Sequence, residues 1–131
     1  MRKIFLKSAV LAYIFFLFGS AQIYAQSSQG TNEAMSVYVN AQVLEKHCPA
    51  WKINTPQLEK FIETHHLAVK DFEKDGRFSQ NISHLTDETE KLYTDIAKKT
   101  GRSLETLACD YANKIFGPKV SGQKANIMIE K

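Results

Sequence analysis

The fold of this chain is decided by residues 103–116, which read SLETLACDYANKIF. Ser103 is a typical N-cap, because its hydroxyl can accept a hydrogen bond from a free backbone N–H group at the start of a helix. Apolar residues follow at helical spacing over a wide arc, which predicts a helix at the centre of a bundle. Gly117 and Pro118 end the pattern. The stretch also contains Cys109, one of the two cysteines of the chain.

The second cysteine is Cys48, which lies 61 positions before Cys109. An isolated, even pair of cysteines in an exported protein predicts one disulfide bond. Closing a loop of this length should stabilise the fold by about 4 kcal/mol, a large share of the roughly 5–15 kcal/mol that holds a small domain together. Two free buried thiols are the alternative. A metal site is not expected from this spacing, and the chain has no Cys-x-x-Cys motif.

Residues 33–47 are predicted to form the helix that leads into the first cysteine. Val37, Ala41 and Leu44 fall on one helical stripe. The β-branched run at 37–39 is more typical of a strand, but the longer stripe decides in favour of a helix.

Two further helices are predicted between the cysteines. Thr55 and Pro56 have the chemistry of an N-cap and a first helical position, and the apolar stripe that follows stops at Gly76. Thr86 is the predicted cap of the next helix, which Gly101 ends. The predicted segments are helix 56–74, loop 77–85 and helix 86–100.

The chain is therefore predicted to be all-α, a small bundle of three to four helices stapled by one disulfide, after an N-terminal signal peptide. The residues after the last helix are expected to be flexible or, alternatively, to form a short docking strand around Ile127-Met128-Ile129. The predicted organisation is a signal peptide over 1–25, a disordered leader over 26–35, a helical domain over 36–118 and a flexible tail over 119–131.

Residues 1–25 have the order of a secretory signal: a basic head, an apolar run at 9–18 and small residues after it. The run has ten residues, whereas a membrane-spanning helix needs about 20. Cleavage is expected after Ala25 or after Ala21, and an uncleaved anchor is the alternative. We therefore expect an exported protein, periplasmic or secreted, without a stable membrane anchor after cleavage.

The charge of the exported chain is balanced. The full sequence has 17 basic and 14 acidic residues, and three of the basic ones lie in the predicted signal, which leaves 14 of each. Nucleic-acid binding requires a clustered surplus of positive charge. A nucleic-acid partner is therefore not expected.

The four histidines do not predict a metal site. His65 and His66 are adjacent, so their side chains diverge by about 100° on a helix and cannot chelate one ion. His65 lies within an apolar stripe, where it is either a satisfied core residue or a pH-sensitive group. Burial opposes charging of an imidazole, so the second interpretation predicts that acidification loosens this helix. The histidines of the chain are His47, His65, His66 and His84.

No catalytic residue and no cofactor are expected. The chain has no Gly-x-Ser-x-Gly motif and no glycine-rich phosphate loop. The carboxylates Asp71, Glu73 and Asp75 are interpreted as surface charge at a helix end. Trp51 is expected to cover the disulfide or, alternatively, to be an exposed aromatic contact for a partner.

In its layout the chain resembles the periplasmic acid-stress chaperones of the HdeA type, which combine a signal peptide, a helical domain of around a hundred residues and one disulfide. No residue motif is shared, so the resemblance assigns no site residues. It implies the first alternative function, an acid-stress chaperone. The leading hypothesis is a non-enzymatic protein that binds another protein as an accessory factor, inhibitor or effector. A second alternative is a carrier of a small apolar ligand, in a pocket lined by Phe61, Phe72, Tyr111 and Phe116.

Overall fold

A computed structural model gives the architecture of residues 29–131. The chain divides into two units at residues 32 and 33; the second, Glu33–Lys131, is described in full, and of the first only residues 29–32 are described. The predicted signal peptide and the first residues of the predicted leader lie outside the described part. Within that part, no helix combines the length and the apolar character that crossing a bilayer requires.

The described chain contains four α-helices, one 3₁₀ turn and two short strands. The fold class predicted from the sequence, a small all-α bundle with one disulfide, is confirmed. In chain order the elements are α1 (residues 29–47), β1 (Trp51–Ile53), α2 (Thr55–Thr64), the 3₁₀ turn (Val69–Phe72), α3 (Ser79–Thr100), α4 (Leu104–Phe116) and β2 (Met128–Glu130).

Helix α1 is buried on two opposite sides. Val37, Ala41 and Leu44 are buried along one stripe, as predicted. Val39 and Val43 are buried along a second stripe on the other side. This burial explains why β-branched residues are tolerated in a helix here: packing on both sides outweighs their lower helix propensity. The central position predicted for α4 stays a prediction.

Helix α4 has the start and the buried face that its sequence predicts. The Ser103 hydroxyl accepts a hydrogen bond from the Thr106 N–H at 3.1 Å. The disulfide between Cys48 and Cys109 ties the end of α1 to α4, with the two Cα atoms 5.1 Å apart. The buried side chains of α4 are Leu107, Ala108, Ala112 and Phe116.

Helix α2 ends ten residues earlier than predicted. His66 adopts a left-handed conformation with φ of 60°, and the N–H groups of His66 and Leu67 donate to the carbonyls of Glu63 and Ile62. This is the hydrogen-bond pattern of a Schellman helix end. The predicted helix 56–74 is therefore wrong beyond Thr64, although its apolar residues Phe61 and Phe72 are both buried.

Helix α3 begins at Ser79, within the segment predicted to be a loop. Its N-cap is Phe78, which provides no side-chain hydrogen bond, so the sequence carries no cap signal there. Thr86, the predicted cap, lies inside the helix, and its hydroxyl donates to the Ile82 carbonyl one turn earlier at 2.7 Å. The predicted end of α3 is confirmed, since Gly101 is the left-handed C-cap.

Both ends of the predicted helical domain are more ordered than the sequence suggested. Residues 29–35 are helical rather than a disordered leader, because Ala34 and Met35 extend the buried faces of α1. The tail 119–131 is not wholly flexible, because β2 pairs antiparallel with β1 in the register Trp51↔Glu130. Ile127 and Met128 are fully buried, so the docking strand is the alternative that holds.

A candidate binding groove

Of the residues singled out from the sequence, Cys48 and Trp51 are buried and Cys109 is partly buried. Cys48 and Cys109 form the predicted disulfide. Trp51 is only 6% exposed and belongs to the hydrophobic core. Because a buried indole cannot meet another protein, the assignment of Trp51 as a partner contact is wrong.

His65 lies at the C-terminal end of α2, not in the middle of a longer helix. Its Nδ1 is 2.9 Å from the Phe61 carbonyl oxygen, to which it can donate, and its ring packs on the Phe61 ring. The Nε2 faces the carboxylate of Glu33 at 3.8 Å. The pH sensitivity of His65 stays a prediction.

The feature best suited to binding is a groove on the solvent side of α1, which we call the α1 groove. It has two lobes with volumes of about 320 and 300 Å³. Tyr38, Gln42 and Glu73 line both lobes, so the lobes adjoin. The first lobe continues to the start of α3, where Ile82 lines it, and the second continues to α2, where Leu58 lines it.

One wall of the α1 groove is the connector, residues 65–78, which joins α2 to α3. The Phe72 ring anchors it, with centroids 5.4 Å from Tyr38 and 5.3 Å from Phe78. The Phe78 N–H donates to the Asp71 carbonyl at 2.9 Å. A Cβ at Gly76 would collide with the carbonyl oxygens of the 3₁₀ turn, so only glycine allows this close approach. The connector therefore has one defined path.

Acidic side chains border the groove. Glu73 and Asp75 border the first lobe together with Lys74, the only cation among the described residues that line either lobe. Glu45 and Glu59 border the second lobe. The floor is apolar, because buried residues of α2, α3 and the connector form it. These floor residues are Leu58, Ile62, Phe72 and Ile82.

The opposite side of α1 is closed by helix α3. Glu90 accepts from Lys46 at 3.1 Å and contacts the His47 Nε2 at 2.6 Å. Burial acts to raise the pKa of Glu90, but the hydrogen bonds and charges of His47 and Lys46 outweigh it, and the pKa lies below its usual value. The Tyr93 hydroxyl donates to Asn40 at 2.6 Å. Burial, with a smaller contribution from Tyr111, raises the pKa of Tyr93 to about 12.

Neither lobe matches the pocket that the ligand-carrier hypothesis requires. Phe72 lines the first lobe, and Phe61 lines a separate cavity of about 270 Å³ beside Gln123. Tyr111 and Phe116 line none of these three cavities. Among the residues described, no group of three or more histidine, cysteine or acidic side chains is placed to hold a metal ion.

The sequence contains only a partial signal for this groove. Asp71, Glu73 and Asp75 were recognised as a charged group at the end of the predicted helix 56–74. Glu73 and Asp75 line the groove with Tyr38 and Gln42 only because α2 ends early, which the sequence does not indicate. Comparisons of the chain with models of protein families, with curated proteins and with solved structures find no match.

Proposed function

We propose that this chain is an exported, non-enzymatic module that binds another protein, as an accessory factor, inhibitor or effector, and that the α1 groove is its binding surface. The observation that carries the proposal is the pair of adjoining lobes beside Tyr38 and Gln42. A long open groove with an apolar floor and a polar rim suits a peptide segment better than a compact ligand, which usually occupies an enclosed pocket.

Export is supported by two observations. The basic and apolar order of residues 1–25 is that of a signal peptide. The disulfide between Cys48 and Cys109 is compatible with an oxidising environment outside the cytosol. We propose a periplasmic or secreted location on these grounds.

A photo-crosslinking side chain at Gln42 tests the groove directly. Gln42 is exposed, and its side chain makes no hydrogen bond with the described residues, so its replacement should leave the fold intact. In cells that export the protein, we expect a discrete adduct with one protein partner. The intact mass of the recovered protein should also place its N-terminus at Gln22 or Gln26.

The matched control carries the same crosslinking side chain at Leu92. Leu92 lies on α3, is 56% exposed and does not line the groove. Adducts from Leu92 but not from Gln42 would place the binding surface elsewhere. Identical adducts from both positions would show non-specific encounter and would also contradict the proposal.

A further inference from the structure

We infer that the occupant of the α1 groove is a positively charged, partly apolar peptide segment of the partner protein. This inference rests on the proposed function and specifies the chemistry of the partner. It follows from the distribution of charge around the groove, from the free state of its carboxylates and from the shape of the two lobes.

The negative charge of the groove is local. The described chain has 14 basic and 14 acidic residues, yet the groove is lined by four carboxylates and a single lysine, Lys74. A cleft with one sign of charge and apolar walls concentrates the electrostatic field and attracts ligands of the opposite sign. A cationic segment is therefore attracted, and an acidic one is repelled.

Three of the four carboxylates are available to a ligand. Glu59, Glu73 and Asp75 make neither an ion pair nor a side-chain hydrogen bond with any other described residue. Glu45 differs, because one of its oxygens accepts from the Ile53 N–H beside the groove. Lysine or arginine side chains of a partner could pair with the three free groups without breaking an existing contact.

The connector holds two of these carboxylates in place. Glu73 and Asp75 lie on either side of Lys74, between the anchored Phe72 and the tightly packed Gly76. Because the backbone path is fixed, a partner would lose little free energy in ordering this wall.

Because the floor of the α1 groove is apolar, the bound segment must also carry apolar side chains. Tyr38, Ile53 and Val69 are partly buried and line the groove, so they can lose further water when a ligand binds. Exposed ion pairs contribute little each, about 0.2–1 kcal/mol, so apolar burial must supply much of the affinity. Because the two lobes adjoin, they favour an extended segment with both cationic and apolar side chains.

Fluorescence anisotropy with the full-length, disulfide-bonded protein tests this inference. Four labelled 12-residue peptides serve as probes. Three share the same leucine positions and carry lysine, glutamine or glutamate at the remaining variable positions. In the fourth, the lysine–serine peptide, serine replaces each leucine of the lysine–leucine peptide. We expect the lysine–leucine peptide to bind the unchanged protein more tightly than the other peptides do. The same peptide should bind the double variant Glu73→Gln/Asp75→Asn about fivefold more weakly than it binds the unchanged protein. Asparagine tolerates left-handed backbone, so it suits position 75, where φ is 63°.

The matched control is the double variant Asp95→Asn/Glu105→Gln, which removes two exposed carboxylates that do not line the groove. It should bind the lysine–leucine peptide as the unchanged protein does. Raising the salt concentration should weaken binding of the lysine–leucine peptide and leave the glutamine–leucine peptide nearly unchanged.

The outcomes separate this inference from the proposed function. Equal binding of the lysine–leucine and glutamine–leucine peptides, both blocked by Gln42→Trp, would overturn the basic partner while supporting the groove. Equal binding of the two lysine peptides would overturn the apolar requirement. Failure of the lysine–leucine peptide to bind would overturn the inference, and failure of Gln42 to form an adduct would overturn the proposed function.

Discussion

The two sides of helix α1 differ in how their polar groups are used. Asn40 and His47 face α3, and each has a partner there, Tyr93 and Glu90 respectively. Tyr38 and Gln42, about half a turn of the helix away, face the α1 groove. On the groove side the Gln42 amide has no partner in the described chain, and the nearby Glu73 carboxylate is also unpaired.

This difference separates polar residues that hold the fold from polar residues that remain free for another molecule. Buried or half-buried polar groups with good partners contribute to stability, and they are costly to leave unpaired. Exposed groups without partners contribute little to stability. Substitutions on the α3 side should therefore change stability, and substitutions on the groove side should change binding alone.

The largest effect on stability is expected from removing the disulfide bond, which links the end of α1 to α4. Replacing both cysteines, Cys48→Ser with Cys109→Ser, should lower the free energy of unfolding by about 4 kcal/mol, because the unfolded chain regains the entropy of a long open loop. Urea denaturation followed by circular dichroism measures the change. A loss below about 1 kcal/mol would show that helix packing alone sets the stability of the bundle.

A direct comparison of the two sides uses one substitution on each, Glu90→Gln and Glu73→Gln. At neutral pH, Glu90→Gln should lower the free energy of unfolding by up to about 1 kcal/mol, because the contacts to Lys46 and His47 lose a charge. Glu73→Gln should change it by less than about 0.5 kcal/mol. Denaturation of the two variants beside the unchanged protein gives both values.

The direction in which the free energy of unfolding changes with pH tests the same comparison. The pKa of Glu90 is lowered in the folded state, so the unfolded state binds more protons as the pH falls. The stabilisation by Glu90 is fully present above the unfolded pKa near 4.3 and is lost as the pH falls through the folded value. Glu90→Gln should therefore converge with the unchanged protein in acid. A constant difference down to pH 2 would contradict the role assigned to this carboxylate.

The sequence predicted those parts of the fold that carry local signals. The Ser103 cap, the Gly101 stop and the pairing of the two cysteines were all predicted and are confirmed. The start of α3 was missed because Phe78 provides no capping side chain. The alternative in which Trp51 is an exposed contact was wrong, because burial is decided by neighbours distant in sequence.

The groove could not be predicted for a related reason. It requires α2 to end at Thr64 so that the connector can return across α1. The residue that makes this turn is His66, which nothing in the sequence marks as left-handed. Alternation of charged residues around Glu73 showed only that the segment is polar. Sequence patterns therefore marked the connector as charged, but they did not identify the groove residues on α1 and α2 or bring them together with the connector.

The C-terminal ends of α2 and α3 can be compared by substitutions that should change the free energy of unfolding only slightly. Both use a left-handed residue, His66 with φ of 60° and Gly101 with φ of 66°. A side chain disfavours this conformation, and glycine does not. His66→Gly should therefore raise the free energy of unfolding by about 0.5 kcal/mol, after allowance for the greater freedom of glycine in the unfolded chain. Chemical denaturation of the variant measures this increase.

The reciprocal substitution Gly101→Ala is the control, because a Cβ at Gly101 would meet no atom within 4 Å. Its cost is then purely that of the backbone, a loss of about 1 kcal/mol. Opposite signs for the two variants would show that α2 ends at His66 despite its residue type, held there by the packing of the connector. If His66→Gly destabilised the protein instead, the imidazole itself would be holding this corner of the α1 groove, and the groove wall would depend on a side chain contact rather than on the path of the backbone.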